Sequence, residues 1–202
     1  MDTLDYYQRN AKEFFSQTIN VDMQNVYQPF LEYLPKTHLS NQQKILDVGC
    51  GSGRDSVFFA NQGFEVVAID GSKSLIELAQ QTDTRIGWQC LRFDEIAKQS
   101  WQNQFTGIWA CASLLHVAFD DLPKILNDLL SCLRPTGVLY ASFKYGDSER
   151  EKDGRFFCDI NEQRWRIVES QLISTKPLKV WQTLDNRADR QEIWWNILYC
   201  KN

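Results

Sequence analysis

The chain of 202 residues has the length of one domain, and its hydrophobic fraction of 43% is enough for a sizeable core. Its 26 acidic residues outnumber 22 basic ones, which argues against a nucleic-acid partner, because such proteins draw much of their affinity from basic contacts to phosphate. Six dispersed cysteines without a C-x-x-C pair, and an acidic N-terminus without the apolar run of a signal peptide, predict a cytoplasmic protein with reduced thiols. No apolar run reaches the roughly 18 residues of a membrane span, and neither His38 nor His116 has a second ligand at a metal-binding spacing, so we expect no membrane or metal partner.

The first part of the chain is predicted to form a helical cap. Apolar residues at mixed spacings of three and four predict helices over 5–19 and 22–34, and Pro35 ends the second. A polar connector over 36–43 follows.

From residue 45 onward, short apolar runs alternate with helical patterns. The predicted strands cover 45–48, 64–69, 86–91, 107–112 and 138–143. The predicted helices cover 55–61, 72–81 and 121–133, with a short helical piece after the third strand. This alternation predicts parallel strands joined by right-handed crossovers, hence a doubly wound α/β sheet with helices on both faces.

Beyond Lys144 the pattern changes. We predict a charged loop over 145–160, a helix over 161–170, and two strands, 178–184 and 192–200, which bring the total to seven. The whole chain, 1–202, is therefore predicted to be one domain in three parts: an N-terminal helical cap (1–36), a cofactor-binding core (43–144) and a substrate-side part (145–202).

A glycine-rich loop follows the first predicted strand. Gly49, Gly51 and Gly53 occupy every second position, where glycine lets the backbone turn sharply and approach a ligand closely. The helix that follows offers free N–H groups to an anionic group, and ligands of open α/β sheets bind at the carboxyl ends of the strands. Asp70 ends the second strand, where a carboxylate can accept hydrogen bonds from both ribose hydroxyls. The loop therefore predicts a nucleotide-like ligand.

The spacing of the glycines in this loop distinguishes among the protein families that share a strand, a glycine-rich loop and a helix in this order. The dinucleotide pattern G-x-G-x-x-G would place its third glycine at position 54, which is Arg54, and no P-loop string is present. A nucleotide-dependent oxidoreductase is therefore disfavoured. The spacing Asp47-x-Gly49-x-Gly51-x-Gly53 is instead similar to motif I of class I S-adenosylmethionine-dependent methyltransferases.

Four later stretches also resemble motifs of that family, in the right order: 67–72, 92–94, 108–117 and 133–139. A narrower combination, over 51–56, 109–117, 142–146 and 154–157, is similar to small bacterial methyltransferases labelled as tellurite-resistance-related or of unknown substrate. The resemblance implies a Rossmann-like, seven-stranded, mostly parallel sheet whose last strand is antiparallel. It also implies S-adenosylmethionine as the cofactor.

The same resemblance implies a set of site residues. The cofactor-binding candidates are Tyr7, Asp47, Gly49, Cys50, Gly51, Gly53, Arg54, Asp70, Gly71, Ser72, Phe93, Asp94, Ala110 and Leu115. For Arg54 the alternative is a solvated residue of the first helical turn, and for Tyr7 it is packing within the cap. His116 is the candidate general base, with a purely structural histidine as the alternative. Lys144 and Arg155 are candidates for binding an anionic substrate, although the segment around them has balanced charges.

The methyl acceptor is predicted to be a small molecule. The Asp/Asn-Pro-Pro-aromatic motif of enzymes that methylate exocyclic amines of adenine, or glutamine, is absent after the fourth strand, which reads Ala110-Cys111-Ala112-Ser113. A protein or RNA acceptor is the alternative within the enzyme class. A non-catalytic S-adenosylmethionine-binding module that regulates a partner is the alternative outside it. The sequence leaves open whether the protein is a monomer or a homodimer.

Overall fold

The computed structural model describes residues 3–36, 43–187 and 190–202, so His38 and most of the predicted connector lie outside the described residues. The α-helices are α1 (Thr3–Arg9), α2 (Ala11–Thr18), α3 (Gln24–Tyr33), α4 (Arg54–Asn61), α5 (Lys73–Ala79), α6 (Leu122–Cys132) and α7 (Glu162–Glu169). The strands are β1 (Lys44–Val48), β2 (Glu65–Asp70), β3 (Gly87–Cys90), β4 (Phe105–Ala110), β5 (Leu133–Lys144), β6 (Glu149–Lys152), β7 (Arg155–Cys158), β8 (Thr175–Leu184) and β9 (Ile193–Lys201). Two short 3₁₀ helices cover Phe93–Lys98 and Leu114–His116.

Seven strands form one sheet in the order β3-β2-β1-β4-β5-β9-β8. The first five are parallel, β9 is antiparallel to β5, and β8 is antiparallel to β9. The predicted fold class, a mostly parallel doubly wound sheet with an antiparallel last strand, is confirmed. The strand order reverses between β1 and β4, which opens a crevice at their carboxyl ends.

Helices cover both faces of the sheet, and the central strands β1 and β4 are therefore mostly buried. All six residues of β4 are buried. On one face Trp109 stacks on Tyr140 with ring centroids 4.0 Å apart and contacts Phe30 and Phe59, whereas Leu126 and Leu129 of α6 fill the other face. Each fully buried side chain of this size contributes about 1.5–3 kcal/mol, so the two layers hold the strand ends rigidly.

The structure corrects two predicted elements. The helix predicted over 5–19 is two helices, because the chain breaks at Asn10, whose side-chain amide donates to the Tyr6 carbonyl (2.8 Å). The loop predicted over 145–160 is wrong, since this segment forms the β6–β7 hairpin. Its turn is Asp153-Gly154, with positive φ at both residues (53° and 74°), which is the conformation that a two-residue hairpin turn requires.

The last two strands begin and end within three residues of their predicted bounds. β8 lies at the edge of the sheet, and its pairing with β9 shifts register between Pro177 and Lys179. Proline cannot donate a ladder hydrogen bond, so its place on an edge strand follows from its chemistry. Within the described parts of the chain, no helix has the length and apolar character needed to cross a membrane. The same residues contain no cluster of three or more side chains suited to a metal ion.

Candidate active site

The glycine loop leaves the end of β1 in a conformation that side chains rarely adopt. The amides of Gly49 and Cys50 both donate to the Ile69 carbonyl of β2 (2.8 and 2.9 Å), which folds the loop back over the sheet. The φ angles of Gly49, Gly51 and Gly53 are +74°, +55° and +80°. A Cβ at Gly49 would lie 2.4 Å from the Cβ of Ser113. The loop therefore packs closely on the end of β4 and offers backbone to the space above.

The carboxylate of Asp70 ties this loop to the end of β2. One oxygen accepts from the Gly51 amide (2.9 Å) and the other from the Ser72 amide (2.8 Å). Burial raises the pKa of Asp70, and the two amide hydrogen bonds oppose that rise. Both oxygens keep lone pairs, so the carboxylate can accept further hydrogen bonds. Ser72 caps α5, where its hydroxyl accepts from the Leu75 amide (3.3 Å).

A buried polar network lies beneath the loop. Asp55 accepts from the Tyr27 hydroxyl (2.5 Å), the Trp109 indole (2.8 Å) and the guanidinium of Arg54 (2.6 and 3.0 Å). Burial alone would raise the pKa of Asp55, but Arg54 and these hydrogen bonds outweigh it and lower the pKa. Within this network, Arg54 and Asp55 form an ion pair with two hydrogen bonds.

A second acid, Asp47, lies in the same buried layer and accepts from the Ser56 hydroxyl (2.5 Å). Burial, together with the negative charge of Asp55, raises the pKa of Asp47. The acid at the end of β1 therefore holds α4 against the strand, through Ser56.

Two cavities meet at the glycine loop. The β2-side cavity, of about 550 Å³, extends past Asp70 to Phe93 and Asp94. The β5-side cavity, of about 570 Å³, extends past Lys144 and Arg155. Their shared wall is formed by Tyr7, Phe14, Gly49, Gly51, Ala112 and His116.

The end of β4 carries an unusual backbone and an unpartnered hydroxyl. Ala112 has a φ of +53°, and its amide donates to the Ser142 hydroxyl (2.8 Å). The buried Oγ of Ser113, on the wall of the β2-side cavity, has no hydrogen-bond partner among the described residues. Leaving a buried hydroxyl unpaired costs about 1–3 kcal/mol, so this position suits a polar group of a ligand.

His116 is held by two hydrogen bonds that define its protonation. Its Nδ1 lies 2.6 Å from the Phe156 carbonyl, which can only accept, so Nδ1 carries the proton. Its Nε2 therefore accepts from the Tyr7 hydroxyl (2.9 Å). Burial lowers the pKa of His116 to about 4, and the charges of Arg155 and Lys144 act in the same direction. At neutral pH the ring is uncharged, and its Nε2 is engaged by the Tyr7 phenol.

The two N-terminal helices cover the site. Phe14 of α2 lies against Gly51, since a Cβ there would be 3.0 Å from its ring, and it contacts the Tyr7 ring edge-on at 5.1 Å. Leu4 of α1 covers Gly71 in the same way. The Thr3 hydroxyl accepts from the Phe156 amide (2.9 Å). Contacts from both the core and the β6–β7 hairpin thus close the cap over the cavities.

Lys144 and Arg155 are two of the basic side chains that line the β5-side cavity. The Lys144 ammonium donates to Glu192 (3.2 Å) and lies 4.8 Å from the centre of the Phe157 ring. The Arg155 guanidinium lies 4.4 Å from the Tyr6 ring and 5.3 Å from the same Phe157 ring. These aromatic contacts hold both cations in place.

Comparison with known proteins shows which family part of this core resembles. A family model described as a methyltransferase domain matches residues 45–137, a little under half of the chain. This part of the chain is similar to methyltransferase domains. The match spans β1, the glycine loop and Asp70, and it ends at the turn before the buried part of β5. This is the part of the chain in which the motifs predicted that family.

Curated relatives of the methyltransferase domain match the same region. Phosphoethanolamine N-methyltransferase 1 of Zea mays is 33% identical over 116 residues, which cover 55% of this chain and 22% of that protein. The ubiquinone biosynthesis O-methyltransferase of Coxiella burnetii is 31% identical over 117 residues, which cover 55% of this chain and 48% of that protein. The chain thus spans less than half the length of each of these relatives.

A solved structure extends the likeness to nearly the whole chain. The 1,6-didemethyltoxoflavin-N1-methyltransferase of Burkholderia thailandensis superposes with a TM-score of 0.72, covering 98% of this chain and 85% of that one at 18% identity. At this identity the likeness shows a shared fold. The cap and the C-terminal strands, which lie outside the matched methyltransferase domain, belong to the same architecture.

Most of the predicted site residues line the two cavities. Those on the walls are Tyr7, Gly49, Cys50, Gly51, Arg54, Asp70, Gly71, Phe93, Asp94, Leu115, His116, Lys144 and Arg155. Four others lie behind the walls: Asp47, Gly53, Ser72 and Ala110. Gly53 is needed for packing, since a Cβ there would lie 2.6 Å from the Trp88 ring.

The prediction did not include several wall residues, among them Phe14, Ser113 and Glu192. Ser113 falls within the family-like stretch 108–117, which was a signal for it. Phe14 belongs to the apolar face of the predicted first helix, where core packing accounts for it equally well. Glu192 is brought to Lys144 by the pairing of β9 with β5, for which the local sequence carries no signal.

Proposed function

We propose that this protein is an S-adenosylmethionine-dependent methyltransferase whose acceptor is a small molecule. The β2-side cavity would take the nucleoside part of the cofactor, and the β5-side cavity would take the acceptor. The observation that carries the proposal is the junction of the two cavities above the glycine loop of a methyltransferase domain. There, one ligand can present a group directly to another.

Residues of the β2-side cavity fit the nucleoside part. The Asp70 carboxylate has lone pairs left for ribose hydroxyls, and it is already aimed by two backbone amides. Phe93 and Leu75 give the cavity apolar walls for a purine ring, and Asp94 adds an acceptor for an exocyclic amine.

The glycine loop and the end of β4 fit the polar remainder of the cofactor. Gly49 leaves room that a Cβ would remove, and the unpartnered hydroxyl of Ser113 lies beside it. Tyr7 and Phe14 place aromatic rings at the junction, where a sulfonium would be stabilised by their faces.

Bound S-adenosylmethionine supplies a methyl group on a good leaving group, so transfer to a nucleophile is an in-line displacement. The protein's contribution is to align the acceptor and exclude water, which the cap over both cavities does. A pKa of about 4 makes His116 a weak base at neutral pH, since proton transfer is most efficient when the pKa lies near the working pH. We therefore propose that His116 positions Tyr7, and that the nucleophile needs little base catalysis.

Small-molecule acceptors are supported by the acidic charge balance and by the names of the relatives, which act on phosphoethanolamine and in ubiquinone biosynthesis.

We also propose the narrower kinship with small bacterial methyltransferases labelled as tellurite-resistance-related. A soft nucleophile would agree with the weak basicity of His116. The three-part division into cap (1–36), cofactor-binding core (43–144) and substrate-side part (145–202) agrees with the placement of the cavities.

Isothermal titration with S-adenosylhomocysteine, S-adenosylmethionine and NAD tests the cofactor. We expect the first two to bind and NAD not to bind. Release of S-adenosylhomocysteine, measured over a panel of thiols, phenols, amines and selenite, then tests the acceptor class. Binding of NAD alone would contradict the proposal, and binding of S-adenosylmethionine without turnover of any acceptor would favour a regulatory module.

A further inference from the structure

We infer that the acceptor carries an oxyanion, a carboxylate or a phosphate monoester, which binds the Arg155 guanidinium on the wall of the β5-side cavity. The inference rests on the proposed function, because it assigns the β5-side cavity to the acceptor. It names the class of molecule that the cavity selects.

The fork of Arg155 differs from that of three other partly buried arginines, and it shares an unpartnered Nε with Arg164, whose Nη2 donates to the Cys158 sulfur. Arg54, Arg150 and Arg187 each hold a carboxylate with Nε and Nη2, at 2.6–3.2 Å, from Asp55, Asp159 and Asp185 respectively. At Arg155 the carboxylate paired with it, that of Asp153, lies 3.7 Å from Nη2, which is beyond hydrogen-bond distance. Its Nε is buried and has no hydrogen-bond partner in the described ranges of the chain.

Aromatic side chains surround Arg155, and its guanidinium also interacts with Tyr7, where it opposes the rise in the Tyr7 pKa that burial causes. Its guanidinium lies over the Tyr6 ring, at 4.4 Å from the ring centre, and near the Phe157 ring. The side chain is 18% exposed, whereas that of Asp153 is 64% exposed. An ion pair with so exposed a partner contributes little, so the buried donor is not compensated. A carboxylate or phosphate that meets the Arg155 guanidinium on the cavity wall would add charge-assisted hydrogen bonds.

Charge around Phe157 supports the same assignment. Three cations surround its ring: Lys144 at 4.8 Å, Arg150 at 5.0 Å and Arg155 at 5.3 Å from the ring centre. Lys144 and Arg150 have carboxylates within hydrogen-bond distance, whereas Arg155 has none among the residues that the structure describes. The cluster therefore carries a positive charge that a bound anion would neutralise, beside the Tyr7–His116 pair at the junction of the cavities.

The experiment uses the whole chain saturated with S-adenosylhomocysteine. Benzoate and phenyl phosphate are the probes, benzamide is their neutral isostere, and binding is measured by isothermal titration. Arg155→Gln removes the charge and the fork, and Arg155→Lys keeps the charge without the fork. Arg166→Gln, on the exposed face of α7 and outside both cavities, is the matched control.

We expect one of the two anions to bind wild type and Arg166→Gln alike, and benzamide to bind at least tenfold more weakly. Arg155→Gln should lose roughly tenfold to hundredfold in anion affinity, with Arg155→Lys in between, while S-adenosylhomocysteine affinity stays within threefold. The relative affinities of benzoate and phenyl phosphate distinguish a carboxylate from a phosphate.

Several results would overturn the inference. Benzamide could bind wild type as tightly as the anions do, or neither anion could bind it at millimolar concentration. Arg155→Gln could bind the anions as tightly as wild type does. Arg155→Gln could also lose S-adenosylhomocysteine affinity in parallel with anion affinity, which would assign Arg155 to the cofactor. Failure of wild type to bind S-adenosylhomocysteine would instead refute the proposed function. Titrating the anions without S-adenosylhomocysteine keeps these two failures separate.

Discussion

Replacing Gly49 by alanine tests the packing of the glycine loop on β4. The new methyl group would lie 2.4 Å from the Cβ of Ser113, a distance that forces the loop or the strand end to move. Gly49 also has a φ of +74°, where a side chain costs about 1–2 kcal/mol. Forcing a methyl group into a packed interior adds about 1–3 kcal/mol, so we expect Gly49→Ala to lose about 2–5 kcal/mol of unfolding free energy.

Gly63→Ala is the matched control for this substitution. Gly63 has a φ of +92°, but a Cβ there would meet no atom of the described residues within 4 Å. It should therefore lose only the backbone contribution of about 1–2 kcal/mol, and any effect on the unfolded chain is common to both variants.

Urea unfolding of the two variants measures the difference, which should be about 1–3 kcal/mol. Titration with S-adenosylhomocysteine should show at least a tenfold loss for Gly49→Ala and no loss for Gly63→Ala. Equal destabilisation of the two variants would refute the close packing described for the loop. Unchanged affinity in Gly49→Ala would refute its place in the cofactor site.

Three further substitutions test the site. Burial keeps His116 neutral and lowers its pKa from 6.5 to about 4, so its contribution to stability is complete above pH 6.5 and is lost as the pH falls towards 4. In urea unfolding, we expect wild type to lose about 2.5 kcal/mol more unfolding free energy than His116→Gln between pH 7.5 and pH 4.5. Equal losses in the two proteins would contradict a buried, neutral ring. Tyr7→Phe leaves the Nε2 of His116 without its donor and should lose about 1–3 kcal/mol in the same assay, whereas no loss would mean that the phenol does not hold the histidine. Asp70→Asn cannot accept from both the Gly51 and Ser72 amides, so S-adenosylhomocysteine affinity should fall at least tenfold by isothermal titration; an unchanged affinity would remove Asp70 from the ribose site.

The parts of the fold that could be predicted are those whose pattern is local. β1, β2 and β4 are buried between helices, so each is a short apolar run, and the glycine loop follows directly from its spacing. The β6–β7 hairpin was missed because β6 reads Glu-Arg-Glu-Lys, which hides a strand, although the Asp153-Gly154 turn was a usable signal.

Tertiary contacts determined the rest of the site. The protonation of His116 depends on the Phe156 carbonyl, 40 residues away, and on Tyr7, 109 residues away. The only carboxylate that the described residues pair with Arg155, that of Asp153, lies beyond hydrogen-bond distance, because the fold places other carboxylates against other arginines. Neither property has a pattern along the chain, since both depend on which side chains the fold brings together.

The shared wall of the two cavities has a thermodynamic consequence. Tyr7, His116 and the glycine loop belong to both, so a ligand in one cavity that shifts any of them changes the free energy of filling the other. Such coupling is reciprocal: if a filled β2-side cavity tightens binding in the β5-side cavity tenfold, about 1.4 kcal/mol, the reverse effect has the same size. Affinities measured for one cavity alone therefore describe a different binding state from those measured with both filled.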